Sequence, residues 1–282
     1  MTHDHDGPHE HDLGLSHDLP ALLNRRRALG LLTGAGLAAA LAACSGSDSA
    51  GGTTTTSTPS PSGGSSSGGS TATVADEVPA ETGGPYPADG SNGVNVLAET
   101  GVVRSDIRSS FGGTSTTAEG VRVSIELTVL DLNGREVAPY EGAAVYLWHC
   151  DREGRYSMYD SEIADENYLR GVQAADADGR LTFTSIFPAA YPGRWPHMHF
   201  EVYRSAADAQ KATGKLRTSQ LALPEDACDV VYASPGYEQS ADTMKQTTLA
   251  SDLVFSDGHS LQMATVTGTV DDGMTIRLNV AV

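Results

Sequence analysis

The stretch Ser185-Ile186-Phe187-Pro188-Ala189-Ala190-Tyr191-Pro192-Gly193-Arg194-Trp195-Pro196-His197-Met198-His199-Phe200-Glu201-Val202 decides how this chain reads. It ends in strict alternation. His197, His199 and Glu201 take one parity; Met198, Phe200 and Val202 take the other. A strand has a side-chain period of two, so the alternation predicts a strand with both imidazoles on one face. Two adjacent imidazoles can share one metal ion. Tyr191 and Arg194 lie just upstream, in a turn punctuated by Pro192 and Gly193 that can fold them over the same spot.

The residue types limit the metal only partly. Imidazole nitrogens suit zinc, copper, iron and nickel alike. A phenol ionises near pH ~10 and binds as phenolate only when a strongly Lewis-acidic ion displaces its proton. Ferric iron is such an ion. Taken alone, a His-x-His strand also fits two satisfied surface histidines, and a lone tyrosine fits the core.

Outward from this strand the chain keeps a β rhythm. Residues 121–129 alternate strictly, and 143–149 form a more uniformly apolar run, as expected of a buried strand. Further strands are predicted at 181–186, 197–203, 216–223 and 274–280. The turns between them carry Asn133-Gly134, Asp151 to Arg155 and Asp178-Gly179. Helical periodicity is scarce beyond a turn or two at 206–213. The pattern predicts an all-β fold, an antiparallel β-sandwich with long loops carrying the metal site.

The first part of the chain reads differently. Residues 1–23 are polar and hold five histidines, a tract that could bind metal loosely. Arg25, Arg26 and Arg27 precede an apolar run at 29–43, shorter than the ~20 residues of a membrane span. The run ends in Leu41-Ala42-Ala43-Cys44. This predicts a twin-arginine export signal over 1–43, with Cys44 as a lipid anchor. Residues 44–82 are rich in Ser, Thr, Gly and Pro and are expected to form a disordered linker. A single folded domain is then expected at 83–282, outside the cytoplasm and tethered to the cell membrane. A net charge of −18 argues against nucleic acid as a partner. Cys150 and Cys228 could pair in an exported domain, and the sequence leaves that pairing open.

Several stretches together resemble the intradiol ring-cleavage dioxygenases, the family of catechol 1,2-, hydroxyquinol and protocatechuate 3,4-dioxygenases. Residues 142–157, with Gly154-Arg155-Tyr156-Ser157, resemble its first signature. Tyr168-Leu169-Arg170-Gly171, Asp176-Ala177-Asp178-Gly179 and residues 186–200 resemble its second, and residues 216–221 resemble the strand that follows. The likeness runs from about 83 to 220, while the tail after Asp226 matches less. The resemblance implies Fe(III) held by Tyr156, Tyr191, His197 and His199. It implies catalytic roles for Tyr191 as a proton acceptor, for Arg194 facing the bound catechol and for Gln220 beside the substrate. The implied reaction opens a catechol-type ring with O2 to a cis,cis-muconate-type diacid. Ala189 stands where the family often has glycine. Trp148 and His149 read as core or as support behind the ligands.

Two other readings fit parts of the chain. One is a non-catalytic β-sandwich lipoprotein that binds aromatics, which requires the tyrosines to lie away from the histidines. The other is a cupin-like oxygenase, but Glu201 follows His199 too closely and His259 is the only downstream histidine. The sequence leaves a homodimer open. It names no partner for a substrate carboxylate, and Pro85 and Tyr86 are its candidates for the selectivity of the pocket.

Overall fold

The computed structural model describes residues 76–133 and 136–282. The expected export signal, the anchor at Cys44 and most of the linker lie outside the described residues, as does Gly134 of the first turn. No helix among the described residues is long and apolar enough to cross a membrane.

Among the described residues, nine strands form two sheets. In the first, β1 (Arg122–Asp131) pairs with β2 (Ala138–Pro139), β5 (Arg180–Ile186) and β9 (Gly273–Ala281), and β8 (Thr265–Thr269) closes the far edge. In the second, the order is β4 (Arg170–Ala174), β3 (Ala144–Trp148), β6 (His197–Tyr203), β7 (Lys215–Ala222). All pairs are antiparallel except β1 and β9, which run parallel with Ile125 opposite Ile276. The alternation read from the sequence is the alternation observed. Val123, Ile125, Leu127 and Val129 of β1 face Val145, Leu147, Met198 and Phe200 across a shared apolar core. Burying each such side chain contributes roughly 1.5–3 kcal/mol relative to exposure.

β3 and β6 are buried along their whole lengths. Their inner face meets the first sheet. Their outer face carries Tyr146, Trp148, His197, His199 and Glu201, covered by residues 82–111 with Ala88, Val96, Leu97 and Val102 inside. Gly179 shows how the hairpin into β5 is made. Its φ is +74°, and an added Cβ would stand 2.4 Å from the Val129 carbonyl oxygen. Only glycine fits that turn.

Five strand or helix assignments differ from expectation. β2, β4 and β8 are short and poor in alternation. The helices Glu225–Tyr232 and Glu238–Met244 are also present, each about two turns long. Ala227, Cys228, Val231 and Tyr232 supply a one-sided apolar face that docks on the core. Cys150 and Cys228 are both buried as free thiols.

The folded region also begins before residue 83. Val78 is buried in the main core, its N–H donates to the Ala281 carbonyl at 2.9 Å, and Glu81 N–H donates to Thr218 O at 2.8 Å. An apolar side chain with a place in the core offsets the ordering entropy that the polar residues around it cannot. Val78→Ala is therefore expected to cost roughly 2 kcal/mol in urea unfolding. A free linker there would give no change.

His149 ends the buried strand and links the sheets. Its Nδ1 lies 2.8 Å from the Cys150 carbonyl, so Nδ1 carries the proton, and Nε2 accepts from Ser185 Oγ of β5 at 2.7 Å. Burial lowers its pKa to about 4. The folded value lies below the unfolded one, so the stability it contributes is present above about pH 6.5 and is lost as pH falls toward 4. In paired unfolding curves, the deficit of His149→Gln against the parent is expected to shrink on acidification, by about 1.4 kcal/mol per pH unit below pH 6. A constant deficit would contradict a neutral buried imidazole.

Candidate metal centre

The strand period sets the first half of the site. His197 and His199 leave the outer face of β6 together, and their Nε2 atoms stand 3.1 Å apart. His197 Nδ1 lies 2.5 Å from the Trp195 carbonyl, so Nδ1–H donates there and Nε2 presents its lone pair. The indole of Trp148, opposite His199 in the β3–β6 register, stacks on the His199 ring at 5.0 Å and 7°. Trp148 thus packs directly against the candidate ligand.

The second half comes from two loops. Tyr191 follows the β5 strand through Pro188, and its hydroxyl lies 3.1 Å from His197 Nε2. Tyr156 sits in the loop after β3, with its hydroxyl 3.3 Å from that of Tyr191. Ala189 has no left-handed backbone angle, so the site does not need glycine there. The four residues named from the sequence therefore converge, each donor atom within 3.3 Å of another. The separation required by a binding module without a metal centre is not seen.

Tyr156 is held by a buried cation. Arg170 is 1% exposed and has no ion pair among the described residues. Its Nε donates to Ser157 Oγ at 3.1 Å and its Nη2 to Ser157 O at 2.9 Å. Its Nη1 reaches Tyr86 O, Pro87 O and Tyr146 Oη at 3.0, 3.2 and 3.2 Å. One guanidinium so fixes the residue after Tyr156 to the lead-in that roofs the site. Met158 and Leu169 take φ of +70° and +57° within the same loop, strain that the surrounding contacts hold in place. The roof is close. Gly84 has φ +71°, and a Cβ there would stand 3.3 Å from His199 Cε1. Tyr86 lays its ring 4.9 Å from that of Tyr156, while Pro85 is exposed.

Arg194 is buried beside the donors. Its Nε donates to Asp252 Oδ2 at 3.0 Å, its Nη2 donates to Gln220 Oε1 at 2.6 Å, and its Nη1 lies 3.3 Å from His197 Nε2. Gln220 Nε2 in turn donates to Thr82 O at 2.9 Å. Asp252 was not expected. Its Oδ2 also accepts from Trp195 N at 2.7 Å, and its Oδ1 accepts from Val254 N and Phe255 N at 2.8 and 3.1 Å. Its only signal in the sequence was a lone aspartate in an unpatterned tail. Glu201 and His259, by contrast, stay out of the cluster. Glu201 accepts from Lys215 Nζ at 2.7 Å and Tyr203 Oη at 2.6 Å, and His259 Nδ1 lies 3.3 Å from Phe255 O.

The electrostatics suit a highly charged ion. Burial pushes the Tyr156 and Tyr191 phenols upward; the neighbouring Tyr191 adds to this for Tyr156, whereas Arg194 opposes it for Tyr191. Burial also pushes His197 and His199 well below the usual imidazole range, with Arg194 adding to the effect at both. The site thus offers two neutral imidazoles with unprotonated nitrogens and two phenols that release protons only to a strong Lewis acid. Among the described residues no three His, Cys, Asp or Glu side chains gather as a metal-binding group, so any ion here depends on the tyrosines. His199 Nδ1 is buried without a protein partner. Its Nε2 faces that of His197, an arrangement that a shared cation between the lone pairs stabilises. The donor set fits a hard trivalent metal.

Comparison with known proteins identifies the family. A protein-family model described as Dioxygenase matches residues 104–256, more than half of the chain. Chlorocatechol 1,2-dioxygenase of Rhodococcus opacus is 33% identical over 72 residues, 26% of this chain and 27% of that protein. The protocatechuate 3,4-dioxygenase beta chain of Burkholderia cepacia is 33% identical over 96 residues, 30% of this chain and 39% of that protein. These matches span well under half of each relative. The solved intradiol ring-cleavage dioxygenase from Tetranychus urticae shares the fold, with a TM-score of 0.57 at 24% identity, covering 73% of this chain and 94% of that one. With the family match over its central region and the same fold throughout the described domain, the chain belongs to the intradiol ring-cleavage dioxygenases.

Proposed function

We propose that this protein is a ferric, non-haem dioxygenase that opens a catechol-type ring between its two hydroxyls, adding both atoms of O2 to give a cis,cis-muconate-type diacid. The observation that carries this reading is the convergence of Tyr156, Tyr191, His197 and His199, each donor atom within 3.3 Å of another. Fe(III), when bound, supplies a Lewis acid and a template for the two catechol oxygens. We assign its binding to these four side chains. We also assign the domain to the outside of the cytoplasmic membrane, on a tether at Cys44; the twin arginine and the Leu-Ala-Ala-Cys ending support that.

The protein's own groups have distinct tasks. Tyr191 is half-buried, on the more open side of the donors, whereas Tyr156 is buried. Its raised pKa makes its phenolate a strong base, so Tyr191 Oη takes a proton from a catechol hydroxyl. Arg194 keeps its charge against burial because Tyr191 and Asp252 offset the desolvation. It faces the negative charge that grows on the ring, and it is already oriented before substrate arrives. Gln220 fixes the guanidinium fork and ties it to the roof through Thr82. Trp148 and Tyr86 wall the donors with aromatic surface and exclude water.

Purified protein is expected to contain iron and to show a visible tyrosinate-to-Fe(III) band, with Tyr156→Phe weakening that band and His199→Ala losing the metal. A colourless zinc protein would end the assignment. Asp252→Asn leaves every donor in place but removes the charge that sets Arg194. It is expected to keep the iron and the band while kcat on catechol falls roughly 10²-fold, about the effect of losing one oriented charge-stabilising donor. Unchanged turnover would show that Arg194 needs no such partner.

A further inference from the structure

Tyr191 reaches the donors from a loop that leaves β5 at Ile186, and the backbone of that loop is held group by group. Phe187 N donates to Val121 O at 2.8 Å, and Phe187 O accepts from Tyr237 Oη at 2.7 Å. Pro188 O accepts from Tyr232 Oη at 3.1 Å. Ala189 N donates to Asp151 O at 3.2 Å, and Ala190 N donates to Ser240 Oγ at 3.1 Å. Tyr232 and Ser240 belong to the helices Glu225–Tyr232 and Glu238–Met244, and Tyr237 caps the second of them. All three side chains are buried, and the rings of Tyr232 and Tyr237 stack at 5.8 Å and 28°. Phe187 meets Tyr232 edge-on at 5.9 Å. Each of the three hydroxyls therefore satisfies a buried backbone group that would otherwise lack a partner's bond.

This support stops at the backbone of Ala190. Beyond it the chain makes a short arch, 191–193, with Pro192 exposed and Gly193 at φ +83°, before Trp195 N is held by Asp252 Oδ2 at 2.7 Å. The Tyr191 hydroxyl bonds to two other candidate donors, Tyr156 Oη at 3.3 Å and His197 Nε2 at 3.1 Å. Where it stands is set by where the backbone leaves Ala190. A misplacement of about 1 Å at a reacting group can cost ~10²-fold in rate, even when its origin lies away from the chemistry.

We infer that Ser240, Tyr232 and Tyr237 are positioning residues for the reaction. Acting through the backbone of 187–190, they fix the point from which Tyr191 presents its hydroxyl to the metal and to the catechol. The inference rests on the catechol reading above and adds three residues that lie outside the donor set. It also gives the two helices after β7 a part in the chemistry, beyond the apolar face they dock on the core.

The test is resonance Raman spectroscopy of the iron-loaded full chain, excited in the visible band, which reads the two bound phenolates separately; Tyr156→Phe assigns which is which. In Ser240→Ala the Tyr191 vibrations are expected to shift or weaken while those of Tyr156 stay. Iron content is expected to hold, and turnover of catechol to fall roughly fivefold, the order of one lost hydrogen bond. Ser240→Thr keeps the hydroxyl and is expected to keep the parent's pattern. Tyr232→Phe removes a single oxygen and is expected to move the same vibrations, so the idea is tested even where Ser240→Ala fails to fold. Amide hydrogen exchange on the metal-free chain gives a reading that needs no iron: protection at Ala190 is expected to fall roughly fivefold or more in Ser240→Ala. Variants that unfold at lower urea while the Tyr191 vibrations and turnover stay at the parent's values would overturn the inference and leave the catechol reading intact. A parent protein without phenolate vibrations would overturn both.

Discussion

A guanidinium without a carboxylate holds this molecule's site together. Arg170 lies at the β4 edge of the second sheet, fully enclosed, and spends its N–H groups on the oxygens of Ser157, Tyr86, Pro87 and Tyr146. Burying an unpaired cation is costly, and it persists only where hydrogen bonds replace its water. Those five bonds reach three parts of the chain: the Tyr156 loop, the roof and the neighbouring strand. The backbone carbonyl of Arg170 is itself clamped by Arg104 at 2.7 and 3.0 Å. The position of one candidate donor tyrosine, Tyr156, is thus set through Ser157 by a charge that bonds to none of the four candidate donor atoms.

Around this anchor the site divides into rigid and adjustable parts. The histidines are fixed by strand geometry and by the Trp148 stack. Arg194 is fixed by Asp252, whose four hydrogen bonds leave its carboxylate no freedom. Tyr191 lacks such a frame and is the more exposed of the two phenols. The two phenols thus differ in how firmly the protein encloses them.

The sequence disclosed these parts unevenly, for physical reasons. His197 and His199 were legible because a period of two is a local property. The six strongly patterned strands were legible on the same ground, and their observed bounds differ from expectation by a residue or two. Tyr156 and Tyr191 were placed by family resemblance, since nothing local separates a donor tyrosine from a core tyrosine. Asp252 stayed hidden because its meaning lies in a contact with Arg194, 58 residues away in the chain. The place of Val78 in the core was hidden because a single valine in polar surroundings carries no periodic signal. The parallel pairing of β1 with β9 leaves no mark on either strand, as each alternates the same way with either kind of neighbour.

That parallel pairing bears on how the domain is made. β9 is an interior strand of its sheet, between β1 and β8, yet among the described strands it comes last in chain order. β1 must therefore wait, with one of its two edges bare, while everything from 132 to 272 is synthesised. Contacts between such distant segments slow folding, because the entropy of closing the intervening chain is lost before they form. The first sheet is thus completed only once β9 has been made, and a nascent chain interrupted before residue 273 would expose the edge of β1 as a template for mispairing.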